Sequence, residues 1–344
     1  MPDLGAFPRA AWAGAVRQAV REIPSVELGY PDPAGVRELR RELSGYLGRV
    51  RAAAVEPGRV VVTHGVAQGL YVVVRELAGL GPLAVEEPTS EGQLPLLREA
   101  GAELVPVPVD DEGIDVEALE RTRARAVIVT PAHQYPTGVV LSARRRAALL
   151  AWARAADGVV IEDDYDAEFR YDREPVGCLQ GLDPERVVLL GSVSKSMAPA
   201  LRLGWAVAPE WLAARVRRFR AITDLGSPVI EQYALARMIS SGAYDRHLRA
   251  MRRSYRARRD VLVAALGERL PGAVVRGVSA GLHVYVELPE GCEARRVQAQ
   301  AADAGIRCGV AGRGLVLGYA RMSAGRLGEA AAALGRVVTG GVAG

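Results

Sequence analysis

Lysine occurs once in 344 residues, at Lys195, although the chain carries 44 lysine and arginine side chains in all, and asparagine does not occur. A drift toward Ala, Arg, Gly and Val has replaced lysine wherever a guanidinium serves, so the surviving amine stands where Arg is a poor substitute. A desolvated lysine can shed its proton and attack a carbonyl, whereas Arg stays protonated with a pKa above about 12. Schiff-base formation is the chemistry that demands this difference. The neighbourhood agrees. Gly191-Ser-Val-Ser-Lys-Ser-Met-Ala-Pro-Ala-Leu-Arg-Leu-Gly-Trp205 follows an apolar run, sets hydroxyls at Ser192 and Ser194 before the amine, and places Arg202 after it. Together these groups can hold a phosphate beside an amine nucleophile, with Arg202 as the charged fork.

Upstream, Val159-Val-Ile-Glu-Asp-Asp-Tyr165 ends a second apolar run in carboxylates and a phenol. Asp163 can keep a pyridine nitrogen protonated and Tyr165 can hydrogen-bond a phenolic oxygen, and such a ring stabilises a carbanion. Gly65-Val66-Ala67-Gln68 lies between a strand pattern and a helix pattern, where free backbone N–H groups face an anion. The loop from Thr130 to Gly138 adds the polar groups of His133, Gln134 and Tyr135. Each signal is modest alone; in order, on strands of one sheet, they are strong.

The elements that must position these groups alternate from about residue 58. Strands are expected at Arg59–Thr63, Pro82–Glu86, Glu103–Val107, Arg125–Thr130, Val159–Asp163, Val187–Gly191 and Leu203–Val207, with helices such as Val66–Leu77, Leu94–Ala100 and Ala143–Ala155 between them. Continuous apolar strands alternating with helices predict an α/β fold with a mostly parallel seven-stranded sheet covered on both faces. Ligand groups then gather at the carboxyl ends of the strands. Beyond Ser227-Pro228 the pattern changes to helices over Ile230–Ser240 and Tyr244–Leu266. Short strands follow near Val274, His283–Glu287, Ile306–Val310 and Leu315–Tyr319, then a last helix, Ala324–Val338. This predicts an N-terminal arm and junction over 1–50, including a helix at Arg9–Glu22. A large ligand-binding domain follows over 51–235, and a smaller C-terminal α/β domain over 236–344.

Composition narrows the class. Hydrophobic residues at 49% and charged residues at 24% are globular proportions, which excludes a disordered tail or a fibrous repeat. A net charge of +4 with Arg clusters on helical patterns gives no reason to expect nucleic acid. Cys178, Cys292 and Cys308 are odd in number and unrelated in spacing, so neither a disulfide framework nor a metal site is expected. With no membrane-length apolar run and no signal pattern at the N-terminus, the expected location is cytoplasmic.

The chain resembles the fold-type I pyridoxal-phosphate enzymes, the class I/II aminotransferase superfamily typified by aspartate aminotransferase. More closely it resembles the aminotransferase-like domain of MocR/GabR-type proteins. The resemblance is carried by Gly29-Tyr-Pro-Asp-Pro-Ala-Gly35, His133-Gln-Tyr-Pro-Thr-Gly138, Glu162-Asp-Asp-Tyr-Asp-Ala-Glu-Phe-Arg-Tyr171 and Ser194-Lys-Ser-Met-Ala-Pro-Ala-Leu-Arg-Leu-Gly-Trp205, and it spans nearly the whole chain. It implies pyridoxal 5′-phosphate as cofactor, with Lys195 as Schiff-base lysine and proton shuttle, Asp163 on the pyridinium nitrogen and Tyr165 on the ring hydroxyl. Ser192, Ser194, Arg202 and the Gly65, Val66 and Ala67 backbone would hold the phosphate. Tyr30 matches a segment that often reaches the neighbouring subunit's cofactor, which implies a homodimer.

Three departures bear on function. MocR/GabR-type proteins carry a winged-helix DNA-binding domain before this region. Here the chain begins almost at the aminotransferase-like part, so an enzyme is expected rather than a regulator, unless this is an excised domain. The family's Glu-x-Pro-x-Tyr stretch has Ser90 at its aromatic position. Finally, Val316 stands where an Arg normally binds the substrate carboxylate, with Arg307, Arg313 or Arg321 as substitutes. The resemblance then implies an enzyme that forms an external aldimine with an amino acid or amine and abstracts the α-proton through Lys195, with transamination as the modal outcome. Two alternatives stay open. One is elimination, substitution or carbon–carbon bond formation, with S-adenosylmethionine among the conceivable substrates; the other is a ligand-sensing effector domain without turnover.

Overall fold

The computed structural model describes residues 1–171 and 177–342. Helices α1 (Arg9–Glu22) and α2 (Arg37–Arg51) precede β1 (Val60–Thr63), α3 (Val66–Leu77), β2 (Leu83–Glu87) and α4 (Leu94–Glu99). Next come β3 (Leu104–Asp110), β4 (Gly113–Ile114), α5 (Val116–Glu120), β5 (Ala126–Val129), α6 (Ala143–Ala155), β6 (Val159–Asp163), β7 (Val187–Ser192) and β8 (Gly204–Val207). The chain continues through α7 (Glu210–Thr223), α8 (Val229–Ser240), α9 (Ala243–Arg269), β9 (Val274–Arg276) and β10 (His283–Glu287). It finishes with α10 (Ala294–Asp303), β11 (Gly309–Ala311), β12 (Gly314–Gly318) and α11 (Ala324–Val342).

The large sheet runs β1-β8-β7-β6-β5-β2-β3-β4. Strands β3, β2, β5, β6 and β7 pair in parallel, whereas β8 is antiparallel to both β7 and β1. The expected parallel sheet is therefore present, with eight strands rather than seven. The extra one, β4, is two residues long and folds back on β3 through a turn in which the Glu112 amide donates to Asp110 Oδ1 (2.8 Å) and Gly113 takes φ +105°. Two residues are too few to show a strand period. All residues of β1, β5, β6 and β7 are buried, as apolar strands covered on both faces must be.

The small sheet, β11-β12-β10-β9, is wholly antiparallel. The expected strand at Ile306–Val310 begins later, at Gly309, because Ile306 is still tied to the end of α10 by its amide bond to Ala301 O (2.8 Å). One apolar cluster runs from Ala15 and Ala19 on α1 through Leu39 and Leu43 on α2, Val62, Leu189 and Trp205 of the large sheet, to Val284, Leu315 and Leu334. It locks the small sheet and its helices against the edge of the large one.

Candidate active site at the carboxyl edge of the large sheet

Because β1, β2, β5, β6 and β7 all run the same way, their carboxyl ends meet the start of the reversed β8 at one edge. There a cavity of about 370 Å³ opens, walled by Lys195, Asp163, Tyr165, Ser192, Ser194 and Arg202, and by Val66, Ala67 and Tyr135.

Asp163 is the last residue of β6. Its Oδ2 accepts from Gln93 Nε2 (3.2 Å), while the buried Oδ1 has no partner among the described residues. Burial pushes its carboxyl up to about 7, against the opposing Gln93 hydrogen bond. A buried orphan oxygen on an acid calls for a cationic or N–H donor from the cavity. The following turn is anchored from α2, whose Arg51 grips Asp164 with Nε and Nη2 (2.7 and 2.9 Å). Tyr165 donates to His133 O (3.1 Å) and also lies 3.0 Å from His133 Nδ1.

Lys195 sits in the turn after β7, among the groups its sequence context predicted. Its neighbours are pinned from α9: Ser196 Oγ bonds Tyr244 Oη (2.8 Å), and His247 Nε2 lies 2.7 Å from Ser196 O. Tyr244 is fully buried and packs edge-on to Tyr46 of α2.

Opposite the lysine lies an anion cradle. Gly65 caps α3 at φ +82°, and a Cβ there would lie 3.0 Å from Arg202 Nη2. At Gly204 a Cβ would lie 2.7 Å from Gly65 Cα. Only glycines let the start of β8 approach the β1–α3 turn closely enough for Arg202, itself in the left-handed region, to donate to His64 O. The turn is held from behind: His64 N donates to Gln68 Oε1 (2.8 Å), Gln68 Nε2 to Asp224 (2.6 Å), and the fully buried Arg220 Nε to the same carboxylate (3.2 Å). The α3 N-terminus, two serines and a guanidinium together suit a dianionic phosphate.

Some expected residues stand elsewhere. Gln134 spends its amide on Glu86 Oε2 (3.3 Å), Pro88 O and Tyr135 O (both 2.8 Å), bracing the loop from behind. His133 is buried behind Tyr165, with Nδ1 3.1 Å from Asp166 Oδ2. Tyr30 lies away from this cavity and is 89% exposed. Gln93 and the buried Glu86 line the cavity without having been anticipated; an amide in a turn-rich stretch and an acid at a strand end carry no distinctive pattern.

A second chamber of about 290 Å³ shares Thr89, Ser90 and Tyr135 with the first and is walled by Val316. Among the described residues the cation on its wall is Arg295 of α10, with Glu91 also there. Arg307 lines a separate small cavity under α11, and neither Arg313 nor Arg321 is on the wall of either chamber. The site thus offers an amine, a proton-holding acid, a phenol and an anion cradle around one cavity.

Residues 5–325 match the family model for aminotransferase class I and II. The chain is 37% identical over 288 residues to the pyridoxine biosynthesis transcriptional regulator PdxR of Corynebacterium glutamicum, covering 83% of this chain and 62% of that protein. It is 27% identical over 318 residues to aromatic-amino-acid aminotransferase 1 of Thermococcus litoralis, covering 89% of this chain and 76% of that one. In structure it is similar to the α-aminoadipate aminotransferase LysN of Thermus thermophilus, solved with N-(5′-phosphopyridoxyl)-L-leucine. There the TM-score is 0.89, the identity 27%, and the match covers 100% of this chain and 91% of that one. The chain spans about three fifths of the length of the curated regulators it matches.

Proposed function

The chain belongs to the class I and II aminotransferase family, and from that membership we propose that it is a pyridoxal 5′-phosphate-dependent enzyme acting on an amine or amino acid. The single observation that carries the reading is the orphaned, buried Asp163 Oδ1 facing the same cavity as the chain's one lysine. When bound, the cofactor supplies an electron sink for a carbanion at the carbon bearing the amine.

The chain's residues then divide the work. Lys195 would be the amine that holds the cofactor's carbonyl carbon and, once free, the base that takes and returns the proton at the substrate carbon. Asp163 would pair through its unpartnered Oδ1 with a protonated ring nitrogen, a neighbouring cation that favours the carboxylate. Tyr165 offers a hydroxyl proton to a ring oxygen. Ser192, Ser194, Arg202 and the amides of Val66 and Ala67 hold the phosphate. With valine at position 316, the substrate's acidic group has Arg295 as the guanidinium available on the adjoining chamber. Transamination is the outcome we favour, in a homodimer.

A second reading, a ligand-sensing effector module, is supported by the regulators among the relatives. The test is an absorbance spectrum with pyridoxal phosphate, followed as single amino acids and S-adenosylmethionine are added. Lys195→Ala should abolish the visible band and borohydride trapping; an unchanged spectrum would overturn the assignment. Release of a keto product supports transamination. A retained amine with a lost leaving group supports elimination or bond formation. A spectral change without product over hours supports the effector reading.

A further inference from the structure

His133 is closely enclosed and only 1% exposed. Its ring stands 4.8 Å from that of His283 on β10, tilted by 44°. Three glycines at positive φ close around it. A Cβ at Gly281 would come within 2.2 Å of its Cε1, and one at Gly138 or Gly277 within 3.1 Å of its Nε2. Nε2 is buried and has no partner among the described residues, so a proton there would lack an acceptor. The ring's proton therefore belongs on Nδ1, which faces both Asp166 Oδ2 (3.1 Å) and Tyr165 Oη (3.0 Å).

We propose that His133 is a positioning residue for Tyr165. Its Nδ1–H, oriented by Asp166 and clamped by the glycine loop that leads into β10, holds a lone pair of the tyrosine oxygen, so that the tyrosine's own proton is directed to an acceptor oxygen in the cavity. Until such an oxygen is present, that proton rests on His133 O, the acceptor it already has at 3.1 Å. Two of the three glycines, Gly277 and Gly281, lie on the loop between β9 and β10 of the small sheet while the hydroxyl follows β6 of the large one, so docking of the two sheets sets the hydrogen bond. The titratable groups facing the ring are Asp166 and Tyr165 beyond β6 and His283 on β10. Burial lowers His283 well below the usual imidazole range, with further lowering from His133, the terminal amine and Lys195. Tyr135, on the ring's own loop, packs edge-on against both Tyr165 and His283.

The inference rests on the cavity being a pyridoxal phosphate site, and the test separates the two. A hydrogen bond donated to a ring oxygen lowers that oxygen's basicity, so losing it raises the pH midpoint of the visible-band transition. His133→Phe keeps a planar ring against His283 and removes the N–H. It should raise the midpoint by roughly one pH unit, and His133→Asn, which restores an N–H, should reverse most of that. In a Tyr165→Phe background, His133→Phe should add nothing, because the two act as one unit. Asp166→Asn, from the other end of the relay, should shift the midpoint in the same direction. A normal visible band whose midpoint none of these variants moves overturns the inference alone. So does an equal shift in the Tyr165→Phe background. Absence of any band in the unmodified protein overturns the cofactor reading and this inference together.

Discussion

At the scale of single residues, the site depends on an acid kept off its ordinary ionisation. Asp163 is pushed up to about 7 by burial, and Glu86 beside the cavity likewise to about 7 despite hydrogen bonds from Thr130 and Gln134. An acid whose folded value is raised contributes stability that is full below its unfolded value of about 4 and is lost as pH rises through about 7. The unloaded protein should therefore lose melting temperature between roughly pH 4 and pH 7, and Asp163→Asn should lose less over that window. Thermal unfolding followed across pH checks this; identical slopes would mean that the carboxyl does not titrate there. Lys195, Asp163, Tyr165 and Arg202, which the structure brings to one cavity, could be picked out of the sequence because each offers chemistry that few other residue types can offer. The directions of His133 and Gln134 were not, because they are set by partners far along the chain, Asp166 and His283 for one and Glu86 for the other.

At the scale of elements, the cradle exists because β8 runs backwards between β1 and β7 and begins on a glycine. Gly204→Ala would drive a methyl group to 2.7 Å from Gly65 Cα and 2.9 Å from Gly191 O. It should weaken cofactor binding by roughly tenfold or more, measured by absorbance titration, while the fold persists. An unchanged affinity would show that the β1–β8 approach does not shape the phosphate site. The strands were easy to read, since buried parallel strands are unbroken apolar runs, and Val66–Leu77 carries a helical period; Ala143–Ala155 does not, because its buried face includes Arg145 and Arg146. The reversal of β8 left no such trace. A reversed strand buried on both faces has the same letters as a parallel one, and only pairing tells them apart. Helix α10 was not anticipated, although its buried residues, Ala294, Val297 and Ala301, fall at helical spacing.

At the scale of the whole molecule, an apolar surface is left uncovered beside the junction. Val26, Leu28 and Tyr30 are exposed, as are Ile222 and Leu225, and the two stretches adjoin where Gly226 packs on Pro31. Such a contiguous patch fits a subunit interface. Sedimentation equilibrium is expected to give a dimer, and the pair Leu28→Glu and Ile222→Glu is expected to shift it toward monomer; a monomeric unmodified protein would refute the assembly. The shared cluster has a further consequence, for biosynthesis. The apolar faces of α1 and α2 are buried against α8, α9 and, through the same cluster, side chains as distant as Leu334 and Val338. As the chain leaves the ribosome, the apolar faces of α1 and α2 must wait, sticky and unmatched, until the helices and strands that cover them have emerged. That makes the nascent chain a natural client for chaperones that shield early hydrophobic segments.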